Sequence, residues 1–131
     1  MTPHEVSCKY SPLALAYIGD SVFDLEIKRY FVLQANMQPE KYHQKVTSIV
    51  SANAQAEFIE YYMDNITDDE LVVFKRARNS SPHTKAKNAS LENYLKATGF
   101  EAVIGFLYLS EQNDRLKDII TSVLKFHGIN I

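Results

Sequence analysis

Apolar residues recur along this chain with helical spacing, and the strict alternation typical of strands does not persist. The first apolar run begins after Ser11-Pro12, a favoured start for a helix, and continues to about Leu33. It is apolar on most of its faces, which is typical of a buried helix. A second helix is predicted from Pro39 to Asp64, where apolar residues return every three or four positions. The pattern therefore predicts an all-α fold.

The rest of the chain repeats this plan of helices joined by short polar segments. Thr67 to Glu70 has the form of a capping box, which marks a helix start. Residues 78–90 are rich in Ser, Asn and Lys and are predicted to form a loop, and Gly128 fits a C-terminal helix cap. The remaining predicted helices span residues 68–78, 91–110 and 114–127. We expect one compact domain of five to seven helices over residues 1–131, with residues 1–10 flexible.

Length and composition agree with a single intracellular domain. A chain of 131 residues with 46% apolar residues can bury an ordinary core. The single cysteine, Cys8, excludes an internal disulfide and a Cys-rich zinc site, and such usage fits a reducing compartment. The first residues do not resemble a signal peptide, and no run of 18 apolar residues is present. We therefore expect a cytoplasmic protein without a membrane span.

The formal net charge of −2 conceals a local basic segment. Residues 57–73 contain six acids and no base, whereas residues 74–89 contain five Lys or Arg, one His and no acid. The total charge argues weakly against a nucleic-acid partner, but the distribution of charge matters more than the total.

One aspartate lies where the pattern calls for an apolar or small residue. Asp20 follows Gly19 inside the apolar window LAYIGDSVFDLEI. A buried carboxylate without a partner costs several kcal/mol or becomes protonated. Spacing alone leaves four readings open: a solvent-facing stripe with Asp24 and Lys28, a pair with a buried base, a cap on a neighbouring helix, or a metal or catalytic role.

A glutamate repeats this oddity in the window KATGFEAVIGFLYL. Thr98 to Glu101 matches a capping box, which is the structural alternative for Glu101. Gly105 follows Glu101 by one helical turn, much as Gly19 adjoins Asp20. Since glycine lets another backbone approach closely, two buried helices could cross there and bring the two carboxylates together. Converging carboxylates suit Mg²⁺ or Mn²⁺.

The two windows resemble motifs of the ribonuclease III endonuclease domain. YIGDSVFDLEI is similar to its FLGDSVL-type signature, and TGFEAVIGFLYL to its second acidic motif. The likeness is closer to the short subfamily called Mini-ribonuclease III. It is carried, in family order from about Leu13 to Leu109, by the segments AYIGD, SANAQA, RARN, AKNA and KATGFEA.

The resemblance implies an all-helical homodimer that cuts double-stranded RNA with Mg²⁺ and leaves 5′-phosphate and 3′-hydroxyl ends. Mn²⁺ is expected to substitute for Mg²⁺. The subfamily lacks a separate RNA-binding domain. Its known task is to trim the ends of the large-subunit (23S) ribosomal RNA precursor, so the resemblance implies this precursor as the substrate. Asp20 and Glu101 match the family's metal-binding acids and are expected to be catalytic metal ligands.

This chain departs from full-length ribonuclease III at two further acids. Ala16 and Thr98 occupy those positions, so two of the four familiar carboxylates are present. The subfamily resembles this chain in having fewer of these carboxylates, which leaves the number of bound metal ions open. Asp24, one turn from Asp20, is a candidate outer-shell partner through water; the alternative is an ordinary ion pair or surface residue.

The basic segment gives the candidate RNA contacts. Duplex RNA is bound mostly through its phosphates and 2′-hydroxyls, so the alternative to a solvated loop is a clamp on the RNA backbone. The candidate contacts are Lys75, Arg76, Arg78, Asn79, His83, Lys85 and Lys87. Two other functions remain open: a non-catalytic RNA-binding or assembly module on the same fold, and a plain helical interaction domain.

Overall fold

The computed structural model describes residues 1–80 and 90–129, and throughout these ranges it contains helices and no strand. This confirms the all-α prediction. The helices are α1 Pro3–Lys9, α2 Pro12–Gln34, α3 Pro39–Val50, α4 Ala52–Tyr62, α5 Asp68–Ser80, α6 Leu91–Leu109 and α7 Asn113–Phe126, with a single 3₁₀ turn at Met63–Asn65. None of these helices is long and apolar enough to cross a membrane.

Most predicted helix ends agree with the structure because the local capping chemistry is present. Ser11 caps α2, and its hydroxyl accepts a hydrogen bond from the backbone N–H of Ala14. The capping box forms as predicted, since Thr67 and Glu70 each accept a hydrogen bond from the other's backbone N–H. Gly128 follows α7 with a φ of 80°, the left-handed conformation that favours glycine.

The prediction of one continuous helix from Pro39 to Asp64 is wrong. The chain bends at Ser51, whose extended backbone (ψ 154°) separates α3 from α4. The Ser51 hydroxyl accepts a hydrogen bond from the backbone N–H of Ala54, so this residue starts a new helix. The apolar spacing continues across the break, which is why periodicity alone does not reveal it.

Two further segments differ from the prediction. Residues 1–10, expected to be flexible, contain α1, which is capped by Thr2 and fully buries Val6. The loop expected from Arg78 begins later, because α5 continues to Ser80. Lys75, Arg76, Arg78 and Asn79 therefore lie on a helix. The candidates His83, Lys85 and Lys87 lie outside the described residues.

Helix α6 lies at the centre of the core and packs against α2, α4 and α5. Phe100 of α6 makes edge contacts with Phe23 of α2 and Phe58 of α4, with ring centroids 5.0 and 5.7 Å apart. All three rings are buried. This apolar packing holds the helices that carry the two unusual acids.

The backbones of α2 and α6 approach each other closely at two glycines. A Cβ atom on Gly19 would lie 1.7 Å from the carbonyl oxygen of Glu101, and one on Gly105 would lie 2.0 Å from the carbonyl oxygen of Leu15. Each glycine thus lies against the backbone of the opposite helix, and no other residue type fits there. The crossing anticipated from the two glycines is confirmed, and it sets Asp20 beside Glu101.

Candidate active site

Asp20 and Glu101 meet at this helix crossing. Their carboxyl groups are close enough to share a hydrogen bond when one of them is protonated. Glu101 is half-buried in the interior of α6, whereas Asp20 is exposed. Among the described residues, neither carboxyl forms an ion pair with Lys or Arg. Two acidic groups therefore face each other, and no Lys or Arg of the described residues pairs with either.

The capping-box alternative for Glu101 is wrong. Thr98 lies inside α6, seven residues after its start, and its hydroxyl donates a hydrogen bond of 2.9 Å to the carbonyl oxygen of Tyr94. No helix begins at Thr98, so Glu101 has no cap to complete. The real cap of α6 is Ser90, whose hydroxyl accepts from the backbone N–H of Asn93.

The environment of Glu101 opposes its negative charge. Burial raises the pKa of its carboxyl to about 8, and the charge of neighbouring Asp20 and a hydrogen bond shared with Asp20 act in the same direction. A hydrogen bond from Gln55 acts in the opposite direction. The metal-free site therefore holds a proton on Glu101 near neutral pH.

A divalent cation would remove this repulsion. The part of the chain that the structure describes contains no group of three or more His, Cys, Asp or Glu side chains that could hold a metal ion. Two carboxylates alone still fit Mg²⁺, which keeps several waters and commonly takes one or two protein carboxylates together with substrate phosphate. Asp20 and Glu101 are thus a sufficient protein contribution for such an ion.

Asp24 has a partner of its own. Its carboxylate lies 2.7 Å from the ammonium group of Lys28, one turn further along α2. This is the ion pair that the sequence offered as the alternative to an outer-shell role. Both side chains are at least one third exposed.

The basic residues of α5 differ in their surroundings. Lys75 is exposed. The guanidinium group of Arg76 donates a 3.1 Å hydrogen bond to the backbone oxygen of Ser7, which ties α5 to α1. The guanidinium group of Arg78 lies over the ring of Phe74, 5.5 Å from its centroid, and donates a hydrogen bond to Asn79.

Sequence reasoning missed Gln55 as a site residue. It lies on α4 with 3% of its surface exposed, and its amide nitrogen is 3.4 Å from the Oε2 atom of Glu101. The segment SANAQA contributed to the family resemblance, but nothing in its spacing indicated a contact with Glu101, which is 46 positions away.

Most of the chain matches a known protein family. Residues 13–112 match the model of the Ribonuclease III domain, a range that includes both acids. The chain belongs to the ribonuclease III family.

Relatives within this family agree over most of their length. The chain is 43% identical over 116 residues to Mini-ribonuclease 3 of Staphylococcus aureus, covering 87% of each chain. It is 42% identical over 118 residues to Mini-ribonuclease 3 of Clostridium tetani, covering 89% of this chain and 78% of the relative. A crystal structure of a protein from Fusobacterium nucleatum has the same fold, with a TM-score of 0.83 and 31% identity over 91% of this chain and 95% of that one.

Membership of the ribonuclease III family identifies the chain as an endoribonuclease of a family that acts on double-stranded RNA. This sets aside the non-catalytic module and the plain interaction domain left open by the sequence. Ribonuclease III proteins are in general dependent on a divalent metal, and two adjacent carboxylates are of the ligand type that such an ion prefers.

Proposed function

We propose that this endoribonuclease hydrolyses phosphodiester bonds of double-stranded RNA with Asp20 and Glu101 as its catalytic metal ligands. The observation that carries the proposal is the contact between two carboxyls that pair with no Lys or Arg in the part of the chain that the structure describes. Mg²⁺ is the proposed ion, with Mn²⁺ as a substitute, and the products carry 5′-phosphate and 3′-hydroxyl ends. When bound, the ion neutralises phosphate charge and lowers the pKa of a coordinated water.

In this chemistry the protein holds and orients the two carboxylates that would bind the ion. Asp20 is exposed and offers its carboxylate from the α2 side of the crossing, while Glu101 supplies the second carboxylate from α6. Glu101 gives up its proton on loading, because a metal ligand must be deprotonated. The contact between Gly19 and Gly105 and the opposite backbones fixes the separation of the two helices, so neither ligand needs to move far.

The test uses a labelled RNA duplex with Mg²⁺. We expect Asp20→Asn and Glu101→Gln each to lower the cleavage rate more than about 100-fold, which is the upper end of the loss seen when only an outer partner of a ligand is removed. Asp118→Asn, a change of an exposed aspartate on α7, is the matched control and should cleave normally. EDTA should abolish cleavage by the wild type. Full activity in either site variant would refute the ligand assignment.

We further propose that the basic segment binds the RNA backbone. Lys75, Arg76, Arg78 and Asn79 supply this surface from α5, and His83, Lys85 and Lys87 extend it along the chain. Lys75 is the cleanest probe, because Arg76 and Arg78 also contact Ser7 and Phe74. Lys75→Gln should weaken duplex binding and reduce the slope of log affinity against log salt by about 0.9. An unchanged slope would remove Lys75 from the interface.

A homodimer is proposed from the exposed face of α2. Tyr17 is 82% exposed and Leu25 63% exposed, although both lie in the apolar window LAYIGDSVFDLEI. Exposed apolar side chains that form a contiguous patch mark interaction sites, and a two-fold dimer built on such a patch of α2 would present one active site to each RNA strand. Tyr17→Glu should convert a dimer to a monomer in analytical ultracentrifugation. A wild-type protein that sediments as a monomer would refute this assembly.

The proposed substrate is the large-subunit (23S) ribosomal RNA precursor in the cytoplasm. It is supported by the likeness to proteins named Mini-ribonuclease 3. A transcript carrying the base-paired ends of the precursor should be cut faster than an unrelated duplex of equal length. Equal rates on both would argue against this preference.

A further inference from the structure

Gln55 lies between a helix break and the proposed metal ligand. Its side-chain nitrogen donates one hydrogen bond of 2.8 Å to the carbonyl oxygen of Val50 and a second of 3.4 Å to Oε2 of Glu101. The two acceptors use the two hydrogens of the amide group. The side chain thus connects the end of α3 to the candidate site on α6.

The break at Ser51 makes the first of these bonds possible. In a continuous helix, the carbonyl of Val50 would accept from the backbone N–H of Ala54. That N–H instead donates to the Ser51 hydroxyl, so the Val50 carbonyl lacks this helical partner. Gln55 satisfies it. Because a carbonyl oxygen can only accept, this contact also fixes which end of the amide faces Val50 and therefore which end faces Glu101.

The oxygen end of the Gln55 amide does not add to the stability of the fold. The Oε1 atom of Gln55 is buried and has no hydrogen-bond partner among the described residues. A buried acceptor without a partner lowers stability. The bond to Val50 offsets this cost and accounts for one N–H of the amide, whereas the second N–H is directed at Glu101.

We infer that Gln55 is a positioning residue that holds the Glu101 carboxylate in place for the metal. Its N–H occupies Oε2 of Glu101, which restrains the carboxylate beside Asp20 and would leave its remaining lone pairs for the ion. Hydrogen bonds of this kind orient metal ligands, and their loss costs 10- to 100-fold in metal affinity or activity. The inference rests on the proposed function, since it takes Glu101 as a ligand.

The test measures metal binding without catalysis. Mn²⁺ is titrated into the RNA-free protein and followed by electron paramagnetic resonance, for the wild type, Gln55→Met, Glu101→Gln and Gln34→Met. Methionine keeps the length of the side chain but has no N–H donor. Gln34, exposed at the end of α2, is the matched control. We expect about 10-fold weaker Mn²⁺ binding for Gln55→Met, loss of tight binding for Glu101→Gln, and no change for Gln34→Met.

A second readout separates positioning from general damage. The Mg²⁺ concentration that gives half-maximal cleavage should rise in Gln55→Met by the same factor, while the KM for RNA at saturating Mg²⁺ stays constant. If Gln55→Met does not fold, Gln55→Asn serves instead, because the shorter amide cannot reach both Val50 and Glu101. Wild-type Mn²⁺ affinity in the folded Gln55 variant would overturn the inference alone. Wild-type Mn²⁺ affinity in Glu101→Gln would overturn the proposed function and the inference with it.

Discussion

Two glutamates of this chain show opposite solutions to burying a carboxylate. Glu70 is 1% exposed, and its two oxygens accept hydrogen bonds of 2.9 Å each from the guanidinium group of Arg115. It also accepts from the backbone N–H of Thr67. Glu101 has a long hydrogen bond from Gln55 and otherwise faces another acid, Asp20.

The difference lies in how the negative charge is compensated. Arg115 neutralises Glu70 within the fold, and the same guanidinium group donates to the backbone oxygen of Asn65. The pKa of Arg115 is raised mainly by its hydrogen bond to Glu70, so this pair stays charged. At Glu101 no Lys or Arg within residues 1–80 and 90–129 supplies such a cation. The complete pair gives Glu70 a structural role, whereas the incomplete pairing of Glu101 is the basis for the metal site proposed there.

The largest effect is expected when the complete pair is broken. Glu70→Ala removes the partner of Arg115 and the cap of α5, and removing one member of a buried pair costs about 3–5 kcal/mol of unfolding free energy. Urea denaturation measures this loss. Glu57→Ala, an exposed glutamate on α4, is the control. The folded fraction of Glu70→Ala should keep wild-type metal affinity, and a specific loss of metal binding would contradict the division between the two glutamates.

The second prediction concerns pH and Glu101. Its pKa is about 8 in the folded protein and near the ordinary 4.5 when unfolded, so between these values the folded state holds a proton that the unfolded state has lost. The stabilising effect is complete below pH 4.5 and is lost as the pH rises through 8. Each pH unit over which the two states differ by one proton changes the free energy of unfolding by about 1.4 kcal/mol.

Thermal unfolding without metal should therefore show the wild type losing stability between pH 5 and 8 relative to Glu101→Gln, which has no charge to bury. Mg²⁺ should stabilise the wild type more at high pH, because binding requires the deprotonated ligand. Parallel stability curves for the two proteins would show that the Glu101 environment in solution does not oppose its charge.

The third prediction tests the crossing itself. Gly19→Ala places a methyl group where the Glu101 carbonyl lies, 1.7 Å away, so α2 and α6 must separate. Overpacking of this kind costs about 1–3 kcal/mol, and the shift also separates the two carboxylates. Gly128→Ala is an informative contrast: a Cβ there meets no atom within 4 Å, and only its positive φ is strained. Gly19→Ala should lose metal affinity as well as stability, whereas Gly128→Ala should lose stability alone.

The sequence predicted the helix crossing and a helix cap because the signals for both are local. Glycines one residue before Asp20 and one turn after Glu101 indicated a close helix crossing, and Thr67 to Glu70 indicated a cap. The role of Gln55 could not be predicted, because it depends on the break at Ser51 and on a contact across 46 positions. Arg115 was missed for the same reason: its bond to Glu70 joins two helices that no pattern relates.

The smallest effect is expected at Asp24, which lies one turn from Asp20 but pairs with Lys28. An exposed pair four residues apart on a helix contributes about 0.3–0.5 kcal/mol, so Asp24→Asn should change the free energy of unfolding by no more than that. If the ion pair is its whole role, Lys28→Gln should have the same small effect, and neither change should alter metal affinity. If Asp24 also acts as an outer-shell partner of the ion, Asp24→Asn should weaken Mn²⁺ binding about 10-fold while Lys28→Gln does not. The two variants together decide whether Asp24 belongs to the metal site of Asp20 and Glu101 or only to the ion pair with Lys28.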